Sequence, residues 1–179
     1  MQLQLAYLVV TGTTTAARAP ELVRGLLGLV PRVLTLLTPN ATRVIAPREL
    51  SVIPGNFVVE SYFDSTILPR PPLGLLLVAP CSFNSLNKLA AGVADNLALS
   101  VAAEAIGRET PVLVAPSLNA PLLRHPRTSQ SMATLRGWGV SVIPPEDHPE
   151  GPRLAATEVI LAEVERCLAA AAAMVRPER

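Results

Sequence analysis

Four short polar loops contain the residues of this sequence whose types and spacing could do chemistry. Each loop follows a short apolar run and is rich in Gly, Ser, Thr, Asn or Pro; they cover residues 11–15, 38–42, 80–88 and 116–125. None of them contains an acidic residue. Hydroxyls, amides and backbone N–H groups without nearby carboxylates suit an anion or another hydrogen-bonding ligand.

The first two loops have features of an anion site. Gly12 permits a close turn, the hydroxyls of Thr13 and Thr14 can donate, and the start of the following helix adds partial positive charge. The pattern is neither G-x-G-x-x-G nor a P-loop, so dinucleotide binding and NTP hydrolysis are weakly supported. Simple N-capping by threonine explains the first loop equally well. Thr38 repeats the arrangement after the next strand, and two such loops favour a phosphorylated cofactor.

The third loop follows the most apolar run of the chain, and hydrogen-bonding side chains are concentrated in it. Ser82, Asn84 and Ser85, with Phe83 among them, precede a helical pattern that they can cap. Cys81 raises the possibility of a nucleophile, but no histidine lies near it in sequence, so a small buried thiol is the favoured interpretation.

The fourth loop contains Asn119 between Pro116 and Pro121. An asparagine held in this way can hydrogen-bond a substrate carboxylate or a developing charge. The alternative is an Asx-turn without a ligand, which the sequence alone slightly favours.

The elements that must position these loops alternate between strand and helix. Apolar runs predict strands at 5–10, 32–37, 56–60, 73–78, 111–115 and 140–143, and helical spacing predicts helices at 20–27, 86–104, 128–137 and 157–175. This order predicts an α/β fold of three layers, a doubly wound parallel sheet of the Rossmann-like, flavodoxin type, within a single domain over residues 1–179. The carboxyl ends of its strands would bring the four loops together.

Composition limits the classes of partner. Of 179 residues, 50% are hydrophobic and 16% charged, the net charge is +1 and aromatic residues make up 3%. This excludes intrinsic disorder and argues against a nucleic-acid or membrane-surface partner. The shortage of charge predicts surface buried in a homo-oligomer. Two distant cysteines and the lack of a basic signal-peptide start or a spanning apolar run favour a cytoplasmic protein without a metal site.

Two segments carry a resemblance to a known family. The sequence Pro-Cys-Ser-Phe-Asn-Ser at 80–85 and the helical pattern after it resemble the PASANT motif and following helix of the homo-oligomeric flavin-containing cysteine decarboxylases. Pro-Ser-Leu-Asn at 116–119 is similar to the PxMN motif of that family, and His125 with Pro126 also fits its pattern. The resemblance extends from Leu5 to about Pro145 and is most specific in the middle.

The resemblance implies FMN at a subunit interface of a trimer, which can assemble further into a dodecamer. The phosphate would lie on the first two loops, at Gly12, Thr13, Thr14 and Thr38. The motif loop would hold the flavin, through Ser82, Phe83, Asn84 and Ser85, with Ser117 near the ring. Asn119 would bind the substrate carboxylate, beside Leu122.

A flavin can make a C-terminal cysteine lose CO2 by first removing a hydride from its β-carbon, because the resulting thioaldehyde sits β to the carboxylate. Residues 145–156 stand where a family flap would lie, and they contain no cysteine that could help to return the hydride. Cys167 falls in the predicted last helix. The product should therefore stay oxidised as an aminoenethiol, as in the branch that modifies peptides in ribosomal natural-product pathways.

The sequence departs from the family pattern at the expected catalytic histidine, which should fall near Ser65 or Thr66. The only histidines are His125 and His148. His148, on the predicted flap, could replace the missing group, or it could be a solvated loop residue. Further candidates for substrate contact are Tyr62, Asp64, Arg70 and Arg153.

Several functions therefore remain open from sequence. The first is FMN-dependent decarboxylation of a precursor peptide that ends in cysteine. The others are a phosphopantothenoylcysteine-type decarboxylase, a prenyltransferase-like enzyme, a noncatalytic flavin-binding subunit and an unrelated doubly wound binding protein.

Overall fold

Six parallel strands form one sheet in the computed structural model, which describes residues 3–174. The strands are β1 (Leu5–Val10), β2 (Arg32–Leu37), β3 (Asn56–Val58), β4 (Leu75–Cys81), β5 (Val112–Pro116) and β6 (Ser141–Val142). Their order across the sheet is β3-β2-β1-β4-β5-β6. Every residue of β1 and β4 is buried, which explains why these strands are continuous apolar runs rather than alternating ones.

Helices cover both faces of the sheet. They are α1 (Ala19–Leu27), α2 (Pro47–Ser51), α3 (Phe83–Ala90), α4 (Leu97–Gly107), α5 (Ala120–Leu123), α6 (Pro126–Gly137) and α7 (Thr157–Met174). One hydrophobic cluster joins Leu8 of β1 to α1, α2 and α7, and a second joins Val9 to α3, α4 and α6. Successive strand residues thus face opposite layers, and the predicted three-layer, doubly wound α/β fold is confirmed. None of the described helices combines the length and apolarity needed to cross a bilayer.

The predicted helix over 86–104 is wrong, because the chain forms two helices there, α3 and α4. Gly92 adopts a φ of +70°, which ends the first helix, and the Asn96 side chain accepts the N–H of Leu99 at 3.2 Å to begin the second. Val93, which belongs to the misleading apolar spacing, lies exposed in the turn. The break matters because it turns the chain back toward the loop edge of the sheet.

Smaller differences concern element ends. β4 continues through the cis peptide of Ala79 and Pro80 to Cys81, which pairs with Pro116 of β5, whereas the sequence predicted an end before Pro80. The short helices α2 and α5 were not predicted from periodicity because each has fewer than two turns. The predicted end of the last helix at Val175 lies outside the described residues.

The sheet reverses its winding between β1 and β4. From β1 the chain winds outward through β2 to β3, and from β4 it winds the other way through β5 to β6. At such a reversal the loops beyond the carboxyl ends of the strands separate and leave a crevice. The loops after β1, β2, β4 and β5 all lie at this edge.

Candidate functional site

A cavity of about 430 Å³ opens at the carboxyl ends of the strands. It is lined by eight of the nine residues that the sequence singled out for a cofactor, namely Gly12, Thr13, Thr38, Ser82, Phe83, Asn84, Ser85 and Ser117. The ninth, Thr14, is exposed in the 3-10 turn Thr14–Arg18 and does not line the cavity. Leu122, predicted to contact substrate, lines it as well. Four loops that are distant in sequence therefore meet around one space.

A buried threonine joins the loops after β1 and β4. The Thr11 hydroxyl donates to the carbonyl oxygen of Pro80 at 2.8 Å and accepts the backbone N–H of Ser82 at 2.7 Å. Thr11 is fully buried, so water does not compete for these hydrogen bonds. Ser82, the first cavity residue after β4, is thus held at a fixed distance from the end of β1.

The loops after β1 and β2 approach each other closely at Gly12. A Cβ atom on Gly12 would lie 2.4 Å from the Cβ of Asn40, so only glycine allows this approach. Asn40 and the neighbouring Pro39 line the cavity beside Thr38. The sequence analysis did not select Pro39 or Asn40, although the repeat of a polar loop after β2 was the signal that led to Thr38.

The first turn of α3 forms another wall of the cavity. Ser82 caps this helix, since its hydroxyl accepts the N–H of Ser85 at 3.2 Å and lies 3.1 Å from the Ser85 hydroxyl. The positive end of the helix therefore faces the same space as Thr13 and Thr38. Phe83 packs edge-on against His125, with ring centroids 5.1 Å apart, and His125 itself caps α6 by accepting the N–H of Arg127.

Three hydroxyls form a chain beside the cavity. The Thr13 and Thr15 hydroxyl oxygens are 2.8 Å apart, and the Thr15 oxygen is 2.7 Å from that of Ser117. Thr13 and Ser117 line the cavity, whereas Thr15 lies behind them. This chain connects the loops that follow β1 and β5.

An ion pair that the sequence analysis missed also lines the cavity. Lys88 Nζ lies 2.5 Å from Asp95 Oδ2, and Asn96 lies beside the pair. The hydrogen bond from Lys88 holds the pKa of Asp95 below its usual range. Lys88 lies in α3 and Asp95 in the turn before α4, and the turn lets the two side chains meet; in one continuous helix the two residues would be about 10 Å apart along the axis. The Asp95 carboxylate therefore balances the charge of Lys88 at the cavity wall.

Asn119 is the N-cap of α5. Its side-chain oxygen accepts the N–H of Leu122 at 3.0 Å, which is the Asx-type arrangement that the sequence had left open. Asn119 is exposed and does not line the cavity, although Ser117 and Leu122 on either side of it do. The cap uses only the oxygen, and the amide nitrogen remains a separate donor group.

Residues 145–156 form a small loop closed on itself. The N–H and C=O groups of Glu146 and Arg153 form an antiparallel bridge with two hydrogen bonds of 2.9 Å. The Arg153 guanidinium pairs with Glu150, and His148 Nε2 lies 3.6 Å from Glu146 Oε1. A Cβ on Gly151 would lie 4.0 Å from the Cβ of Ala120, so this loop lies beside Ala120, the residue that follows Asn119. His148 and Arg153 are exposed and do not line the cavity.

The segment in place of the expected histidine carries no cavity residue. Tyr62 and Arg70 are exposed. Asp64 accepts the backbone N–H and the hydroxyl of Thr66 at 2.8 and 2.7 Å, and these bonds hold its pKa below the usual range. Neither Tyr62 nor Asp64 lines the cavity. In a single chain this segment therefore lies outside the cavity.

Neither cysteine lies on the cavity wall. Cys81 is fully buried, and burial raises the pKa of its thiol, so it is a packed side chain rather than a thiolate nucleophile. Cys167 is half-buried on α7, with its sulfur 3.9 Å from the Ser141 hydroxyl at the edge strand. Among residues 3–174 no group of three or more potential metal ligands occurs.

The strand order and the polar cavity at its reversal define a doubly wound α/β protein with a ligand crevice at the switch point. A family model described as Flavoprotein matches residues 4–174. The chain therefore belongs to the Flavoprotein family, and the resemblance to flavin-containing cysteine decarboxylases is confirmed at the level of the family.

Two curated relatives illustrate this membership. The probable phosphopantothenoylcysteine decarboxylase of Streptococcus mutans is 34% identical over 146 residues, covering 78% of this chain and 81% of the relative. A coenzyme A biosynthesis bifunctional protein of Thermococcus kodakarensis is 27% identical over 90% of this chain, and the chain spans only 41% of its length.

Solved structures share the fold. A PPC decarboxylase mutant complexed with pantothenoylaminoethenethiol superposes with a TM-score of 0.78 at 21% identity, covering 92% of this chain and 98% of that one. The peptidyl-cysteine decarboxylase EpiD gives a TM-score of 0.76 at 20% identity, covering 89% and 97%.

The lining of the cavity suits a flavin mononucleotide. Its volume is within the range of about 300 to 1,000 Å³ of small-molecule sites. Its donors are hydroxyls and a helix N-terminus that can hold a phosphate, and Phe83 and Leu122 give it apolar surface for a ring system. The residues present therefore fit the cofactor that the family name implies.

Proposed function

We propose that this protein binds FMN in the cavity and catalyses the oxidative decarboxylation of a C-terminal cysteine of a precursor peptide to an aminoenethiol. The observation that carries the proposal is the convergence of four polar loops on one cavity in a member of the Flavoprotein family. The reaction removes CO2 and two hydrogens from the cysteine. The soluble compartment that this chemistry fits is the cytoplasm, where the cysteine thiol stays reduced.

The first two loops and the motif loop would hold the cofactor. Gly12, Thr13, Thr14 and Thr38 are proposed for the phosphate, and Ser82, Phe83, Asn84, Ser85 and Ser117 for the rest of the molecule. When bound, FMN supplies a two-electron acceptor for a hydride from the substrate β-carbon. The protein contributes binding and orientation, with Thr11 and Gly12 fixing the distances between the three loops.

The substrate would lie between the cavity and residues 145–156, for which we propose the role of flap. Asn119 would donate its amide N–H to the substrate carboxylate while its oxygen caps α5. Leu122 would pack against the substrate, and His148 and Arg153 would approach it from the flap. Loss of CO2 needs no general acid at the carboxylate. The missing histidine would therefore not be needed for that step.

The position of the cysteines supports an oxidised product. A product without net oxidation would need the hydride to return from the reduced cofactor together with a proton, and a flap cysteine is the group that the resemblance implies for helping this step in the coenzyme A enzymes. Here residues 145–156 contain no cysteine, Cys81 is buried, and Cys167 lies against the edge strand. The chain therefore has no thiol at the cavity for that step.

An assembly of copies fits the exposed apolar residues of β3 and of the segment between β3 and β4. Phe63 is 87% exposed, and Phe57, Tyr62, Leu68 and Leu73 are each about half exposed. Apolar side chains grouped in this way are typical of a surface that is covered by a partner. We propose a homotrimer, or a dodecamer built from trimers, in which Tyr62 would contact substrate from a neighbouring subunit.

A second candidate is decarboxylation of 4′-phosphopantothenoylcysteine, favoured by the 34% identity to the Streptococcus mutans relative. The two candidates differ in substrate and in the oxidation state of the product. The peptide reaction removes CO2 and two hydrogens, whereas the coenzyme A reaction removes CO2 alone.

The test is mass spectrometry of the FMN-loaded protein with two substrates. Synthetic peptides ending in cysteine, with matched peptides ending in serine as controls, are compared with 4′-phosphopantothenoylcysteine. A mass loss of CO2 plus two hydrogens from the cysteine peptides alone supports the proposal. Loss of CO2 alone from phosphopantothenoylcysteine supports the second candidate. A colourless protein that binds no added FMN overturns both.

A further inference from the structure

The hydroxyl chain of Thr13, Thr15 and Ser117 carries one proton on each oxygen. Thr15 is hydrogen-bonded on both sides, at 2.8 Å to Thr13 and at 2.7 Å to Ser117. Because it has a single proton, it can donate to only one neighbour, and whenever it does so it accepts from the other. Two directed states follow. In one, protons run from Ser117 through Thr15 to Thr13, and in the other they run in the opposite direction. In a third arrangement Thr15 accepts from both neighbours, and neither Thr13 nor Ser117 then has a proton for the cavity.

The two directed states present different groups to the cavity. When protons run toward Thr13, the Thr13 proton is free to point into the cavity, and Ser117 offers only lone pairs there. When they run the other way, Ser117 is the donor and Thr13 the acceptor. An anion beside Thr13 binds only a donor, so it selects the first state.

We propose that Thr15 is a positioning residue that couples the two cavity hydroxyls, so that a phosphate at Thr13 fixes Ser117 as a hydrogen-bond acceptor. This inference rests on the proposed binding of FMN. The inference goes beyond that proposal because Thr15 does not line the cavity and would touch no part of the ligand. A hydroxyl that accepts a hydrogen bond becomes a stronger donor, so the hydrogen bonds of the three hydroxyls strengthen one another.

The test compares FMN with riboflavin, which has the same ring system and no phosphate. The preference for FMN over riboflavin is measured from the two dissociation constants, by quenching of flavin fluorescence. The variants are Thr15→Val, Ser117→Ala and the double variant, with Thr15→Ser as the conservative replacement. Thr110→Val is the matched control, because it removes a hydroxyl that donates to the Ala105 carbonyl at 2.8 Å, away from the cavity.

We expect Thr15→Val and Ser117→Ala each to lower the preference for FMN by about threefold, the scale of one neutral hydrogen bond. The double variant should be no lower than either single one, because both break the same chain. Thr15→Ser should restore the preference, and Thr110→Val should not change it.

Additive losses in the double variant would overturn the inference, because they would mean that Ser117 contacts the phosphate directly and that Thr15 only supports its loop. An unchanged preference in Thr15→Val would also overturn it. Failure of the unmodified protein to bind FMN is a different result, because it would contradict the proposed function itself.

Discussion

The hydroxyl of Thr11 at the end of β1 accepts the backbone N–H of Ser82, 71 residues further along the chain, at 2.7 Å. The same hydroxyl donates to Pro80, so one buried side chain joins the two strands between which the sheet reverses. The geometry of the cavity therefore depends on a buried contact that a ligand would not touch.

Replacing Thr11 by Val tests this joint. Valine keeps the shape and removes the hydroxyl, which leaves the Ser82 N–H without its acceptor. We expect the free energy of unfolding to fall by about 1 to 3 kcal/mol, measured by urea denaturation. Thr42→Val is the control, because its hydroxyl is exposed, and we expect a change within about 0.5 kcal/mol. Equal stability of the two variants would show that the Thr11 hydrogen bonds contribute nothing to the free energy of unfolding.

The close approach at Gly12 gives a second prediction. In Gly12→Ala the new methyl group must push the Asn40 loop away, because its Cβ would lie 2.4 Å from that of Asn40. We expect FMN affinity, measured by fluorescence quenching, to fall at least tenfold. Gly107→Ala is the matched control, since a Cβ there meets nothing within 4 Å. Unchanged affinity in Gly12→Ala would contradict the placement of the phosphate on this loop.

Two asparagines near the cavity should have separable roles. Asn84 lines the cavity, so Asn84→Ala should lose the flavin, which is measured as the absorbance of oxidised flavin retained after gel filtration. Asn119 does not line it, so Asn119→Ala should keep FMN while turnover of the cysteine peptide falls at least tenfold.

A second variant at Asn119 separates binding from capping. Asn119→Asp keeps an oxygen for the Leu122 N–H and replaces the amide donors by a negative charge. We expect it to lose turnover as Asn119→Ala does. A normal rate in Asn119→Asp would refute the role proposed for Asn119 at the substrate carboxylate.

The thiols should differ in reactivity. Burial raises the pKa of the Cys81 thiol, so less of it is thiolate at pH 8 than for an exposed cysteine, and its sulfur is also inaccessible to reagents. Labelling of the folded protein at pH 8 should therefore reach one equivalent, at Cys167, and a second only in denaturant. Cys167→Ser should abolish the first equivalent. Two equivalents in the folded state would mean that β4 opens readily.

The sequence by itself determined most of the sheet. Strands such as β1 and β4 are buried on both faces, and burial on both faces requires unbroken apolar runs that can be read without coordinates. The loops that follow them are polar, because they lie where the parallel strands end and line the crevice at the reversal of the sheet. Ser82 and Ser117 were found in this way, from their place after a strand.

Only the tertiary structure decided which of those residues share a space. The partition between α3 and α4 depends on the positive φ of Gly92, which a periodic apolar pattern does not report, and it brings Lys88 to Asp95 at the cavity. Contacts between loops, such as Gly12 with Asn40 and Thr15 with Ser117, depend on the order of the strands across the sheet. Local sequence encodes hydrogen-bonding capacity, whereas the pairing of those groups is set by packing between segments that are far apart in the chain.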